Sequence, residues 1–268
     1  MGGIYTLGVS PGTTLRGNRI HDVLAYSYGG WVLYTDEGSS EILLWENLVY
    51  RTKSAGFHQH YGKNNIVRKN IFAFGAEAQI QRSRDEDHLS FTFEDNVVLF
   101  SQGNFFEGAW GKGRANFARN VYWKTGGAEF LFPGDRDLAE WQALGQDKDA
   151  LVEDPLFEDP RAGDFSLKPE SPVRNRWSGL GAWNEAGLTK GQAWFSLARS
   201  IQRPDWVYPT ATGAGQIQDG FEDTPAGDLP RGAVVSGEES AKGSSIRVSL
   251  DAAASGNKGL KIVDAPSL

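Results

Sequence analysis

Three of the four histidines of this chain, His58, His60 and His88, fall within one stretch rich in carboxylates. Asp36, Glu37, Asp85 and Glu86 lie around them, with Tyr61 and Arg84 in the same region. These residue types can do proton-transfer chemistry. Two carboxyl groups in unlike surroundings supply an acid and a base, the pair that cleaves a glycosidic bond. A histidine or tyrosine beside an arginine can instead remove a proton next to a carboxylate that the arginine neutralises. The His58-Gln59-His60 pair with Glu86 also has the residue types of a metal site. Such triplets are common without metal, so no cofactor is expected here. Calcium is the ion to consider should the substrate be anionic.

Whether these residues can meet depends on the elements that carry them, and an internal repeat answers this. Five segments align on an asparagine, at Asn18, Asn47, Asn70, Asn96 and Asn120, with intervals of 29, 23, 26 and 24 residues. Intervals of this length suit a coil of three short parallel strands and three turns. An inward asparagine on every coil can bond the turn backbone and its own copies above and below. The chain is therefore expected to be all-β: a right-handed parallel β-helix over residues 1–178, a Trp-rich cap and linker over 179–212, and a partial lectin-like β-sandwich over 213–268. Both ends read as cut within a longer protein.

Counting back from the asparagines gives two columns. Glu37, His60 and Glu86 lie ten positions before Asn47, Asn70 and Asn96, and Trp110 holds that position before Asn120. Thr35, His58, Arg84 and Gly108 lie twelve before. Equal register on stacked coils makes vertical neighbours, so Glu37, His60 and Glu86 should stack, with His58 beside Arg84. The Gly38-Ser39-Ser40 loop lengthens one coil and leaves open whether Asp36 or Glu37 faces the patch. A carboxyl beside Arg84 should stay ionised, and one against Trp110 or Tyr61 should be driven protonated. His21-Asp22 falls in another register and reads as structural. Asp135, Asp137, Asp147 and Asp149 read as solvated loop charge, and Leu138 to Leu144 as a short helix on the flank.

Composition narrows the partners. The net charge of −7 argues against a nucleic-acid or anionic-membrane surface. No apolar run is long enough to span a membrane. With 0 cysteines there are no disulfides or thiolate metal sites. No signal peptide is visible at the start of the chain.

Tyr34-Thr-Asp36-Glu-Gly38-Ser, Phe57-His-Gln-His60-Tyr61-Gly62, Gln79-Ile-Gln-Arg82-Ser-Arg84-Asp-Glu86-Asp-His88 and the run from Trp141 to Val173 together resemble bacterial right-handed β-helix carbohydrate-active proteins. The group is similar to the β-helix glycoside hydrolases that include an α-L-fucosidase and a xylanase. The run Asp154-Pro-Leu-Phe to Ser171-Pro-Val resembles a closing coil of such proteins. The resemblance implies a secreted, extracellular or periplasmic monomer acting on a plant or algal polysaccharide or oligosaccharide. Asp36 and Glu86 are the chosen carboxylate pair, with Glu37 and His60 as further catalytic candidates. His58, Tyr61, Arg84, His88 and Trp110 are the candidate substrate contacts. A polysaccharide lyase and a non-catalytic carbohydrate-binding or surface solenoid are the competing readings.

Overall fold

The computed structural model describes residues 2–111, 114–174, 176, 181–188, 191, 193–200, 225–228, 245–250 and 259–263. It divides into two compact units, residues 1–203 and 204–268. The first is a parallel β-helix of three sheets. The first sheet stacks Gly2–Thr6, Trp31–Thr35, Phe57–Gln59, Ala78–Arg82 and Asn104–Gly108. The second stacks Thr14–Arg16, Leu43–Trp45, Asn65–Arg68, Leu89–Glu94 and Arg114–Ala118. The third stacks Arg19–Val23, Leu48–Thr52, Ile71–Gly75, Val97–Phe100, Val121–Lys124 and Leu151–Val152.

The repeat explains this architecture. Between the second and third sheets the chain turns on two residues. The residue before each asparagine has a left-handed backbone, with φ of 67° at Gly17, 54° at Glu46, 52° at Lys69, 54° at Asp95 and 56° at Arg119. That conformation is unfavourable for residues with a Cβ. The asparagine ladder offsets the cost. Asn47 Nδ2 donates to Asn70 Oδ1 at 2.8 Å, Asn70 to Asn96 at 3.0 Å and Asn96 to Asn120 at 3.2 Å. Each of these asparagines also donates to a main-chain carbonyl one coil back, at Leu15, Leu44 and Val67. All four from Asn47 to Asn120 are fully buried, and their polar groups are paired as burial requires.

Inside the triangle the sheets point matched columns at one core. Leu33, Phe57 and Ile80 come from the first sheet, Leu44, Val67 and Phe93 from the second, Val49, Phe72 and Val98 from the third. The C-terminal end of the stack is closed by residues 130–150, where Phe132 and Trp141 pack on Phe106, Phe117 and Tyr122. The helix Leu138–Ala143 brings Trp141 there and starts on a capping box between Asp137 and Glu140. It therefore belongs to the end of the core and not to the flank.

The ladder ends on Asp147, which is fully buried and corrects the reading of that residue as solvated charge. Its carboxylate accepts from Asn120 Nδ2 at 2.8 Å, the Tyr122 hydroxyl at 2.6 Å and Trp141 Nε1 at 3.1 Å. An asparagine would present an NH₂ to the Trp141 N–H, so an acceptor-only group suits this last rung.

The run from Phe157 to Val173 makes no further coil. Phe157–Asp159 and Asp164–Leu167 pair as an antiparallel hairpin. Phe157, Phe165, Val173 and Trp183 pack on Leu48, Tyr50, Ile71, Val97 and Val121, the outward side chains of the third sheet. The middle of the third sheet is thus buried on both faces, which is why Ile71–Gly75 and Val97–Phe100 are continuously apolar. Arg19 and Arg51 bind this strap through the carbonyls of Gly163 and Arg161. Trp183 of the Trp-rich segment packs on this flank, and the end of the core is closed instead by Phe132 and Trp141; the helix Ala193–Ser200 follows, with Trp194 exposed. Trp177 and Trp206 lie outside the described residues. In the second unit, Ser245–Ser249 and Gly259–Val263 form a two-stranded antiparallel sheet; Gln218 to Asp223 lie outside the described residues.

Candidate functional site on the first sheet

The outward face of the first sheet is lined by histidine, tyrosine and carboxylate side chains; that of the second carries Arg16, Arg68 and Glu94, with Arg16 paired to Glu46 and Glu94 to Arg119. The outward register of the first sheet runs Tyr5, Tyr34, His58 and Gln81. One step past the strand ends the next outward column is Asp36, His60 and Ser83, each bonding back through its N–H to the coil before: Asp36 to Thr6, His60 to Thr35 and Ser83 to Gln59.

Asp36 is the centre of the cluster. Its carboxylate accepts from the Tyr5 hydroxyl, from the Tyr34 hydroxyl at 2.8 Å and from His60 Nδ1 at 2.6 Å. Burial opposes its ionisation, but the hydrogen bonds from Tyr5, His60 and Tyr34 outweigh it and hold the carboxyl below its ordinary range. The same contact with Asp36, with burial second, pushes Tyr5 up to about 12. Tyr34 is also raised, by burial first and then by Asp36. An ionised carboxylate can only accept, so His60 carries its proton on Nδ1 and turns Nε2 away from Asp36.

His58 has a different character. It is buried, stacked on Tyr34 with ring centroids 4.5 Å apart and planes 4° apart. Burial, aided by the charge of His60, brings its pKa down to about 3, so it is neutral. Its Nε2 lies 2.7 Å from Ser83 Oγ and its Nδ1 has no hydrogen-bond partner among the described residues. A proton on Nδ1 would leave a buried donor unpaired, so Nε2 carries it and donates to Ser83. The contact is therefore not a base activating a serine.

The loop from Ser83 to His88 folds back over the coil before it. Glu86 Oε2 accepts from Gly62 N–H at 2.9 Å and lies 3.3 Å from His88 Nε2. Arg84 stacks over the Tyr61 ring at 4.9 Å. Gly62 is required: its φ is 144°, and a Cβ there would meet the Ser39 carbonyl oxygen at 2.0 Å. Asp36 and Glu86 thus flank one segment, His60-Tyr61-Gly62, from the coils on either side.

The columns expected from counting differ from these. Asp36, not Glu37, shares the column of His60, and Glu37 is exposed. Glu86 is not stacked on His60 but reaches Gly62 from its loop. His58 neighbours Tyr34 and Gln81 in register, and Arg84 stands over Tyr61 instead. Trp110 packs on Phe91, Phe106 and Phe117, with Arg82 over its ring at 4.6 Å, and stands away from Asp36 as part of the closed end. His21 and Asp22 bond each other at 2.6 Å, and Asp22 pairs with Arg51 beneath the strap. Counting missed Tyr5, Tyr34 and Ser83. Tyr34 was legible in principle, being two positions before Asp36 and so on the same face.

Among the described residues no group of three or more His, Asp or Glu is arranged to hold a metal ion, and no helix is long and apolar enough to cross a membrane. No family model matches the chain, and no solved structure does. It is 26% identical to the uncharacterized protein YwoF of Bacillus subtilis (strain 168) over 148 residues, 51% of this chain and 26% of that protein. The chain thus spans about a quarter of that relative's length.

Proposed function

We propose that this protein is a carbohydrate-active enzyme, a glycoside hydrolase that binds a polysaccharide or oligosaccharide across the face of the first sheet. The observation that carries this reading is the pair Asp36 and Glu86 on opposite sides of His60-Tyr61-Gly62. A sugar laid over that segment would have one carboxylate on each side, the arrangement glycoside hydrolysis uses. Asp36, held ionised by its three donors, is the anionic group that stabilises the positive charge developing on the sugar or activates the attacking group. Glu86, whose Oε2 accepts from Gly62 N–H and lies 3.3 Å from His88 Nε2, takes the role of proton donor to the leaving oxygen in this reading. His60, Tyr61 and Arg84 orient hydroxyls. A plant or algal polysaccharide lies outside the cell, so the protein would act there.

A specific observation favours one second reading. The Asp36–His60 dyad presents His60 Nε2 away from the carboxylate that orients it, which is how a general base is held. With Arg84 nearby, this would suit a lyase acting on a uronate. Incubation with a polysaccharide panel separates the two. A hydrolase releases reducing ends without ultraviolet absorbance, whereas an unsaturated uronate chromophore would replace the first reading with the second. Asp36→Asn and Glu86→Gln should each lower kcat by about 100-fold or more. Retained turnover in both would remove the carboxylate assignment.

A further inference from the structure

The same face of the first sheet carries a second feature at the opposite end of its strands from Asp36. Trp31 opens its strand and packs with Tyr34, Ala55 and Ala78. Its Nε1 donates to Gln81 Oε1 at 2.5 Å, two coils away, and only 4% of it is exposed. Trp31 is therefore a floor and not a contact surface. Tyr28 stands edge-on against it, with ring centroids 4.8 Å apart and planes 81° apart, and is 79% exposed. Tyr26, on the same loop, is 76% exposed. Trp31 in turn lies 4.9 Å from Tyr34, whose hydroxyl binds Asp36. Tyr28 is thus two ring contacts from the side chain that holds the carboxylate, within reach of a short chain of sugars seated there.

Charge narrows what such a chain can be. Asp36, Glu37, Glu77, Asp85, Glu86, Asp87 and Glu107 belong to this face and its loops, against Arg84, Lys63, the buried Arg82, the histidines His60 and His88, and Lys53, whose ammonium is held by the Ser27 carbonyl and Glu77. A polyanion would be repelled by this balance, but an uncharged pyranose packs its C–H face on an aromatic ring without that cost. We infer that Tyr28, with Tyr26 beside it, is an outlying sugar platform that selects an uncharged oligosaccharide several units long.

This rests on the carbohydrate reading above, and the experiment keeps the two apart. The Asp36→Asn chain is titrated calorimetrically with neutral hexasaccharides (xylo-, manno- and cello-series), with the matching disaccharides and with hexagalacturonate. At least one neutral hexasaccharide should bind, more tightly than hexagalacturonate. Adding Tyr28→Ala should weaken it about tenfold and leave the disaccharide unchanged, and Tyr28→Phe should restore it because the ring is what binds. Tyr26→Ala, which leaves the ring on Trp31 in place, should weaken the hexasaccharide alone as well. Equal loss on both lengths, no loss in either variant, or tighter binding of hexagalacturonate overturns the platform while the carbohydrate reading stands. Binding of none of the sugars overturns both.

Discussion

At the scale of single residues, the first sheet holds two histidines in unlike surroundings. His60 is oriented by an ionised carboxylate, and His58 lies buried and neutral between Tyr34 and Ser83. The depressed pKa of His58 has a consequence for stability. Its folded value of about 3 lies below its ordinary 6.5, so between these values the unfolded chain binds a proton that the folded chain does not. Stability should therefore fall as pH drops from 6.5 towards 3, by up to about 1.4 kcal/mol per pH unit. The lowered pKa of Asp36 acts in the same direction, below its ordinary 3.8. His58→Phe keeps the stack on Tyr34 and removes the titrating group. Urea unfolding of that variant should depend less on pH between about 4 and 6 than unfolding of the parent chain; equal slopes would mean that His58 is protonated in the fold.

The elements owe their register to the ladder, and the ladder makes unequal demands on its members. Asn70 is fully buried and bonds Asn47, Asn96 and the Leu44 carbonyl. Asn70→Ala would strand several buried polar groups and should cost about 3 kcal/mol or more. Asn18, on the first rung, is only part-buried, and its side chain bonds only Asn47 among the described residues. Asn18→Ala should cost about 1 kcal/mol. Asp147→Ala should resemble the inner rung, because it leaves Asn120, Tyr122 and Trp141 without their acceptor. Denaturant midpoints of the three variants check the order, and a loss at Asn18 as large as at Asn70 would mean the ladder is not what fixes the stack.

Over the whole β-helix, the third sheet is sealed by the strap while the first is left open. Phe165 is nearly buried and lies 5.1 Å from both Tyr50 and Phe157. Phe165→Ala should weaken the strap by about 3 kcal/mol and expose a continuous apolar face. Limited proteolysis should then cut within residues 154–183 before the solenoid unfolds, with increased binding of a hydrophobic dye. Cleavage elsewhere first, or a pattern like that of the parent chain, would show the strap is not held by this contact. This asymmetry also places the site. The outward side chains of the covered sheet that meet the strap, such as Leu48, Ile71, Val97 and Val121, are apolar because they are core, and those on the first sheet are free to be chemical.

The recurrence of Asn18, Asn47, Asn70, Asn96 and Asn120 determined the parallel β-helix by itself, since a buried ladder residue must repeat once per coil in any sequence that builds one. It also gathered His58, His60, Asp36 and Glu86 into one region of the chain. It did not determine which of them touch. Segments 36–42, 60–64 and 83–88, which join the first sheet to the second, have unequal lengths. Counting back from the asparagines adds that difference to every position, and a slip of one residue moves a strand side chain to the other face. Only the hydrogen-bonded register of the first sheet places Asp36 rather than Glu37 beside His60, and only the fold-back of the Ser83–His88 loop brings Glu86 to Gly62. The same limit hid the strap, because contacts between segments far apart in sequence leave no periodic trace; Asp147 does stand at ladder spacing, 27 residues after Asn120, but its aspartate breaks the run of asparagines. The ladder is a property of neighbouring coils and is written in the chain; the site depends on loops, whose geometry the tertiary packing decides.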